Sequence, residues 1–424
     1  MARLRSPLVC VVLCLAAAPA PAGAASRFVI RGAGYGHGVG MSQYGAYGLA
    51  LHGAGYRDIL AHYYTGTRIE RRGPNIVRVL LQANRSSVAF TGATRAGDRD
   101  LQEASVYEVT RSGPNVVLRS TSGRRLATYA DIVSVAGGTT LRLLGKAGNG
   151  VTNGLYRGVL DVRTAAGSGL NAINTIDIEQ YLQGVVPAES PPIWPFDALA
   201  AQAVAARSYA LTRKIEAQAA GRAWDIGAGV LAQVFSPRPA PAARAAAEAT
   251  AGEVLALGME PVEAYFHASC GGRTEAGLAA LGRDLPYLAA VECGRCESAP
   301  RVRWTVHAGA RELASAAGLP GDATAARVVA RTRSGRADKV EIQAGGRRAA
   351  VAAADLRQRL GFSRLPSLAF DVRTEEGGFV LEGRGQGHGA GLCQWGAAGL
   401  AREGKDYRAI LLHYYPGTDV VKMY

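Results

Sequence analysis

A 36-residue segment occurs twice, once near each end of the chain, and this duplication constrains the fold more than any other feature of the sequence. Residues 32–67 read GAGYGHGVGMSQYGAYGLALHGAGYRDILAHYYTGT, and residues 383–418 read GRGQGHGAGLCQWGAAGLAREGKDYRAILLHYYPGT. The two copies align without a gap at an offset of 351, and 22 of the 36 positions are identical. This identity indicates a duplication, but two copies do not make a solenoid of stacked repeats.

Each copy predicts the same local structure. A glycine-rich turn comes first, and a helix then begins near Ser42 in the first copy and near Cys393 in the second. The helix ends before the glycine that lies eleven residues further on, since glycine commonly follows the last helical residue. A second short helix is predicted over Tyr56–Tyr64 and over Tyr407–Tyr415.

The N-terminus has the pattern of a secretory signal peptide. Residues 1–7 carry Arg3 and Arg5, residues 8–20 are apolar but short for a membrane span, and residues 22–24 read AGA, a small-residue cleavage site. An uncleaved anchor is the alternative. We therefore expect an exported protein (periplasm, cell wall or extracellular), with no membrane span after the signal peptide.

Composition and charge narrow the class of partner. Of the 424 residues, 48% are hydrophobic and 19% are charged, as in a globular protein of two or three domains, and the formal net charge is +14. A basic exported protein is attracted to the anionic polymers of the cell envelope. Nucleic acid is the other common partner of such a chain, but export and the scattering of the basic residues argue against it.

The residue pattern predicts an α+β fold, in which strand-rich modules surround a mixed helical core and the duplicated Gly-His-Gly helix-turn-helix arms lie at both ends. The longest predicted helix is Phe196–Ala219, and a short helix is expected over Asp177–Leu182, with Asp177 as its N-cap and Gly184 beyond its end. The expected domains are the signal peptide (1–25), the first arm (26–70), a small β-rich module (71–163), the core with a Cys/His cluster (164–300), a mixed β/α module (301–377) and the second arm (378–424).

Glu189 is the candidate for acid catalysis. It lies in the segment VVPAESPPIWP, where we expect Pro187, Pro191, Ile193 and Trp194 to exclude water from its carboxyl. Desolvation disfavours the charged form, so this carboxyl would keep a proton near neutral pH. A general acid that acts on a glycosidic oxygen needs that property. On the residues alone, a solvated or helix-capping glutamate is the alternative.

The segment VVPAESPPIWP and the helix after it, FDALAAQAVAARSYAL, resemble the SpoIID/LytB family, whose pattern is VVPAE-x-P-x-x-WP followed by ALAAQAVAAR(S/T)YA. The similarity continues through EVLAL, EAYFHASCGGRTE and PYL, and covers roughly residues 160–424. The resemblance places the family's acid at Glu189. It implies a peptidoglycan lytic transglycosylase that cleaves MurNAc–GlcNAc bonds of peptide-stripped glycan strands and leaves 1,6-anhydro ends; sporulation is the best-known setting of the family.

One carboxyl is enough for that reaction, whereas ordinary glycoside hydrolysis uses two. A second group could still come from Asp177, Glu179 or Asp197. The LytB branch implies the alternative function, a non-catalytic wall-binding enhancer of a peptidoglycan amidase. A zinc-dependent amidase has little support, because the sequence contains no HExxH motif.

Substrate contacts are expected from the duplicated arms and from the helix after the acid. The family has a GHG-x-G-x-SQ-x-GA segment near its C-terminus, which GHGAGLCQWGA matches here, although Cys393 replaces the usual Ser. His and Gln can hydrogen-bond sugar hydroxyls and Trp can stack on a sugar ring, whereas a packing role is the alternative. An arginine on the helix would orient the substrate or the loop of the acid. The predicted substrate-binding residues are Arg207, His388, Gln394 and Trp395 and, in the first copy, His37 and Gln43.

Four cysteines follow the signal peptide. The pairs His267-x-x-Cys270 and Cys293-x-x-Cys296 have the spacing of a structural zinc site, so these four residues are the predicted ligands. Disulfides are the alternative, since exported cysteines commonly oxidise, and Cys270 could then pair with Cys393. The family resemblance permits zinc without requiring it, and no organic cofactor is expected.

Overall fold

The computed structural model describes residues 28–67, 69 and 75–424, and the predicted signal peptide lies outside the described residues. The chain divides between residues 71 and 72 into two compact units. Among the described residues, no helix is both long enough and apolar enough to cross a bilayer. The secondary structure is a mixture of helices and strands, which confirms the predicted α+β class.

The first unit contains two helices, α1 (Gln43–Leu51) and α2 (Tyr56–Tyr63). The hydroxyl of Ser42 caps α1 by accepting a hydrogen bond from the backbone N–H of Gly45 at 3.1 Å. Ile59 is the one buried residue among those described in this unit. The unit therefore has a regular local structure with very little core of its own.

The second unit contains eight helices among its described residues. They are α3 (Ile178–Glu189), α4 (Phe196–Ala219), α5 (Pro241–Ala249), α6 (Gly277–Leu281), α7 (Ala310–Ala316), α8 (Ala353–Leu360), α9 (Gln394–Arg402) and α10 (Tyr407–Tyr414). Its first eleven strands are β1 (Ile76–Arg85), β2 (Ser87–Ala96), β3 (Arg99–Asp100), β4 (Val106–Ser112), β5 (Asn115–Ser120), β6 (Arg125–Ala130), β7 (Ile132–Leu143), β8 (Leu155–Tyr156), β9 (Val159–Thr164), β10 (Leu170–Asp177) and β11 (Ile226–Gly227). The remaining strands are β12 (Glu253–Leu257), β13 (Glu260–Pro261), β14 (Phe266–His267), β15 (Arg303–Gly309), β16 (Ala323–Arg331), β17 (Ala337–Ala344), β18 (Arg347–Ala352), β19 (Phe370–Glu375), β20 (Gly378–Arg384), β21 (Leu392–Cys393) and β22 (Asp419–Lys422).

One eleven-stranded sheet contains all the strands from β1 to β11, in the order β11-β1-β10-β9-β7-β2-β4-β5-β6, with β3 beside β2 and β8 beside β7. Strand β9 crosses the predicted boundary at residue 163 and pairs in antiparallel fashion with β10, which follows that boundary. The β-rich segment therefore continues directly into the helical core through one sheet. Buried residues of the sheet and of α3 and α4 form a single large hydrophobic cluster.

Residues 303–384 build a module with a hydrophobic cluster of its own. It consists of two three-stranded sheets, β15-β20-β19 and β16-β17-β18, together with α7 and α8. The last strand of this module, β20, leads directly into the second Gly-His-Gly copy. The module is thus placed beside the core by the chain segment that connects it to α9.

The second copy repeats the local structure of the first at the same offset. Helices α9 and α10 begin 351 residues after α1 and α2. The glycines before the two histidines, Gly36 and Gly387, both have φ at 112°, a value that residues with side chains rarely adopt. Cys393 takes the place of Ser42 as the N-cap of its helix, and its sulfur accepts the N–H of Gly396 at 3.3 Å.

Helix α3 is longer than predicted. Asp177 is its N-cap, as expected, but the helix continues through Gly184 and Pro187 and ends at Glu189. Gly184 marks a close approach and not a helix end, because a Cβ there would clash with the ring of Phe235 and the carbonyl of Ser236. The prediction that the helix stops before Gly184 and that Glu189 lies in a loop is therefore wrong.

Candidate active site

Glu189 is the last residue of α3, and its carboxyl lies in a constrained position. Its Oε1 accepts a hydrogen bond from the backbone N–H of Val234 at 2.6 Å. Burial raises the pKa of this carboxyl to about 7, against the opposing effect of hydrogen bonds from Val234 and Gln394. The residue is half-buried, so a carboxyl that retains a proton near neutral pH is still partly accessible from the surface.

The residues that surround the acid differ from those predicted. Pro191 and Ile193 are exposed, and Ile193 keeps 93% of its surface accessible. Trp194 is buried and packs edge-to-face against Trp395, with 5.0 Å between ring centroids. The proline segment therefore does not enclose the acid as expected, and the contacts of Glu189 come from a distant loop and from the second Gly-His-Gly copy.

Gln233 positions the loop that donates to the acid. It is fully buried, its Oε1 accepts the hydroxyl of Tyr181 at 3.1 Å, and its Nε2 donates to the carbonyl of Ala206 at 3.2 Å. These bonds tie the loop to α3 and α4, and the next residue, Val234, contacts Glu189. Sequence reasoning missed Gln233; a single amide inside the apolar run LAQVF was the available signal.

Gln394 brings the second copy to the acid. Its Nε2 donates to the backbone carbonyl of Glu189 at 3.0 Å and to Oε1 of Gln202 at 3.2 Å. The side chain is 6% exposed. The structure thus makes Gln394 a positioning residue for Glu189, and its predicted contact with substrate stays a prediction.

His388 and Trp395 lie in the same part of the second copy. Nδ1 of His388 accepts the N–H of Ala390 at 3.1 Å, and Nε2 donates to the carbonyl of Phe266 at 2.8 Å. Burial lowers the pKa of His388 to about 4, so the ring is neutral at physiological pH. Backbone groups occupy both nitrogens of His388, whereas the indole of Trp395 is half-exposed. The predicted contacts of both residues with substrate stay predictions.

Arg207 has a structural role in place of the predicted substrate contact. Its side chain is fully buried, and its Nε and one Nη bond to the two carboxyl oxygens of Glu179 at 2.8 and 2.6 Å. The guanidinium also donates to the backbone carbonyls of Ala247 and Glu253 at 3.1 and 3.0 Å. Arg207 therefore braces the first turn of α3 against α5 and β12, and substrate cannot reach it.

His37 and Gln43 belong to the first unit and are exposed there. Nδ1 of His37 accepts the N–H of Val39 at 3.1 Å, the same local bond that His388 makes in the second copy. The first copy thus has the turn geometry of the second. Its predicted contact with substrate stays a prediction.

The other candidate carboxylates are engaged away from the acid. Asp177 caps the start of α3 and Glu179 pairs with Arg207, so they lie about 18 Å and about 15 Å from Glu189 along the helix, at ~1.5 Å per residue. The side chain of Asp197 accepts the N–H of Tyr407 at 3.1 Å. The paired carboxyls of glycoside hydrolases lie about 5–10 Å apart. Asp177 and Glu179 are therefore too distant to act together with Glu189.

The four cysteines after the signal peptide converge. The sulfurs of Cys270, Cys293, Cys296 and Cys393 all lie within 4.8 Å of one another, and each residue is buried. The pairing of β14 with β21 places His267 beside Cys393 in the backbone register, yet the imidazole bonds to the carbonyl of Ala390 at 3.1 Å. The predicted ligand set is thus corrected, with Cys393 in place of His267.

The spacing of the sulfurs fits tetrahedral coordination of one metal ion by four thiolates. Adjacent sulfurs around zinc are separated by about 3.8 Å when the Zn–S bond is about 2.3 Å, and Cys270 and Cys296 have sulfurs 3.6 Å apart. The sulfur of Cys393 accepts the N–H groups of Cys270 and Gly396, both at 3.3 Å, as a metal-bound thiolate can. The four residues fit a closed structural metal site.

Comparisons with known proteins identify related sequences. Residues 166–257 match the family model described as Stage II sporulation protein, and residues 297–391 match a domain of unknown function. The chain is 32% identical over 255 residues to an uncharacterized protein of Brachyspira hyodysenteriae, and the aligned region covers 59% of this chain and 68% of that protein. It is 28% identical to the Stage II sporulation protein D of Bacillus amyloliquefaciens, over 59% of this chain and 76% of that protein. It is 26% identical to the Amidase enhancer of Bacillus subtilis, over 56% of this chain and 40% of that protein.

Proposed function

Because the chain belongs to the SpoIID/LytB family, we propose that it is an exported lytic transglycosylase that cleaves MurNAc–GlcNAc bonds of peptide-stripped peptidoglycan strands, with Glu189 as acid and then base. The observation that carries this proposal is the Glu189 carboxyl, whose pKa is raised to about 7 by burial. A carboxyl with that pKa is protonated in a large fraction of molecules at neutral pH, as a general acid must be.

In the proposed reaction, the carboxyl of Glu189 first donates a proton and then accepts one, so it ends in its starting protonation state. Protonated Glu189 donates its proton to the glycosidic oxygen as the bond from that oxygen to C1 of MurNAc breaks. The C6 hydroxyl of the same MurNAc attacks C1 and forms the 1,6-anhydro bond, and its proton passes to the Glu189 carboxylate. The N–H of Val234, 2.6 Å from Oε1, stabilises the carboxylate between these two transfers.

We also propose that zinc binds to the four-cysteine cluster. Zinc there supplies no catalytic chemistry, because four thiolates fill its coordination sphere. Its contribution is to join Cys393, at the start of α9, to the segment from Cys270 to Cys296. Gln394 follows Cys393 directly, so the ligand set supports the residue that contacts Glu189.

Digestion of peptide-free glycan strands tests the function. Mass spectrometry of the products is expected to find 1,6-anhydro ends with the wild-type protein and none with Glu189→Gln, a nearly isosteric change that cannot donate the proton. Reducing ends would indicate hydrolysis instead.

The second candidate is a non-catalytic enhancer of a peptidoglycan amidase, supported by the similarity to the Amidase enhancer of Bacillus subtilis. This candidate predicts that folded wild-type protein leaves the strands intact but raises the rate of an added amidase. It also predicts that Glu189→Gln enhances the amidase as well as the wild type does.

A further inference from the structure

The module of residues 303–384 carries a cavity that the proposed reaction does not use. Its volume is about 730 Å³, within the ~300–1,000 Å³ of typical small-ligand sites. It lies on the sheet β15-β20-β19, next to the end of β16. Its lining combines arginines, acids and aromatic rings: Arg303, Trp304, Thr305, Arg331, Gly335, Ala369, Phe370, Asp371, Glu382, Gly383 and Arg384.

Two arginines of this cavity pair with none of the acidic residues that the structure describes. Arg303 of β15 and Arg384 of β20 are directly opposite each other in the antiparallel register, and both are exposed. Neither guanidinium has a hydrogen bond or an ion pair with a described residue. Like charges on directly opposed strand positions destabilise a sheet. A bound anion would remove that cost.

The other charged groups of the lining do not neutralise this pair. Asp371 forms an ion pair with Arg331, and Glu382 lies 3.4 Å from the guanidinium of Arg373. Each acid therefore already has an arginine of its own. The cavity keeps two uncompensated positive charges at Arg303 and Arg384.

An aromatic wall adjoins these charges. Trp304 and Phe370 line the cavity with ring centroids 6.3 Å apart, and both face Gly383 in the strand register. A Cβ at Gly383 would clash with the indole, so glycine permits this ring position. The indole N–H donates to the carbonyl of Gly385 at 2.9 Å, which holds the ring in place. Phe370 itself is buried, whereas Trp304 is half-buried. A fixed indole beside two guanidinium groups suits a sugar that carries an acid.

We propose that this cavity is a second binding site for the glycan strand, in which Arg303 and Arg384 hold the lactyl carboxylate of a MurNAc residue. The inference rests on the proposed function, because removal of the stem peptide exposes that carboxylate. In a strand that still carries its peptides, the same carboxyl is an uncharged amide. The cavity would thus favour stripped strands because they carry free carboxylates, and it would do so at a site separate from Glu189.

Binding of peptide-free strands to the full chain tests this site. The background variant is Glu189→Gln, so that the strands stay intact during the measurement. Adding Arg303→Gln and Arg384→Gln is expected to weaken binding about tenfold in low salt, from the loss of two charge-assisted contacts. Adding Arg347→Gln and Arg348→Gln removes the same charge from β18, outside the cavity, and is expected to change binding less than about twofold.

Chemically altered strands identify the bound group. Amidation of the lactyl carboxylates is expected to weaken binding to the level of the Arg303/Arg384 double variant and to have no further effect on that variant. Equal binding of amidated and free strands, or strand binding that does not depend on the two arginines, would overturn the inference. Arginine-dependent binding of teichoic acid in place of the strands would overturn it too, since the anion would then be a phosphate.

The failure of this site and the failure of the proposed function give different results. Arginine-dependent strand binding without 1,6-anhydro products would refute the transglycosylase and leave the second site standing. If the wild-type protein cleaves the strands but replacing Arg303 and Arg384 leaves strand binding unchanged, only the second site is refuted. Circular dichroism of the double variant, compared with Arg303→Lys and Arg384→Lys, separates lost contacts from lost folding.

Discussion

The side-chain amide of Gln394 lies 3.0 Å from the backbone carbonyl oxygen of Glu189, although 205 positions separate the two residues in the chain. The same amide lies 3.2 Å from Gln202 on α4. The C-terminal end of the acid's helix is therefore held by the first residue of α9, in the second Gly-His-Gly copy. This contact gives the duplicated segment a defined role at the candidate active site.

Replacing Gln394 is expected to slow the reaction more than it weakens binding. Gln394→Ala removes the bond to Glu189, and a displacement of the acid of about 1 Å can cost roughly 100-fold in rate, so kcat should fall about 10- to 100-fold. Steady-state digestion of glycan strands measures this. Gln218→Ala, at an exposed position of α4, is the control; a change confined to KM would instead indicate a direct substrate contact.

The rate of cleavage is expected to fall as the pH rises above about 7, because the reaction needs the protonated form of Glu189, whose pKa is about 7. A pH profile of kcat/KM should show this basic limb, with the rate decreasing about tenfold per pH unit well above the pKa. A flat profile between pH 6 and 9 would contradict the assignment of the acid.

Glu189→Gln is expected to stabilise the protein in alkaline solution. The pKa of Glu189 is raised from 4.5 in the unfolded chain to about 7 in the fold, so the folded state binds more protons between these values. Stability of the wild type therefore decreases from pH 4.5 to 7 relative to the variant. Above pH 7 the variant should be more stable by on the order of 1–3 kcal/mol, and near pH 4 the two should be equal in urea denaturation.

Metal analysis of variants is expected to show that the fourth zinc ligand is Cys393 and not His267. Purified wild-type protein should hold about one zinc per chain, as a four-thiolate site requires. Cys393→Ser should lose it to a chelator, whereas His267→Ala should retain it. Wild-type protein without metal, and without free thiols after denaturation, would point to disulfides.

Arg207→Ala is expected to destabilise the fold by about 3–5 kcal/mol, because it leaves Glu179 without its buried partner. Chemical denaturation measures this loss. Arg244→Ala removes an exposed i,i+4 pair with Glu248 and should cost less than about 1 kcal/mol. Similar effects of the two changes would contradict the bracing role of Arg207.

Local signals in the sequence predicted much of the secondary structure. The limits of α4 and the starts of α1 and α9 followed from short-range features, namely apolar spacing and glycines. The end of α3 did not, because Gly184 has the same identity whether it stops a helix or permits the approach of Phe235. Only the packing of the loop against α3 distinguishes these two cases.

By itself, the sequence determined the duplication, the family and the identity of Glu189 as the candidate acid, since each of these is a pattern of residue types along the chain. The tertiary structure decided which residues surround that acid and which sulfur completes the cluster. Val234 and Gln394 reach Glu189, and Cys393 reaches Cys270, through contacts that join segments 45 to 205 positions apart. Residue spacing carries no signal for such contacts, because they depend on how α3, β14 and β21 pack together.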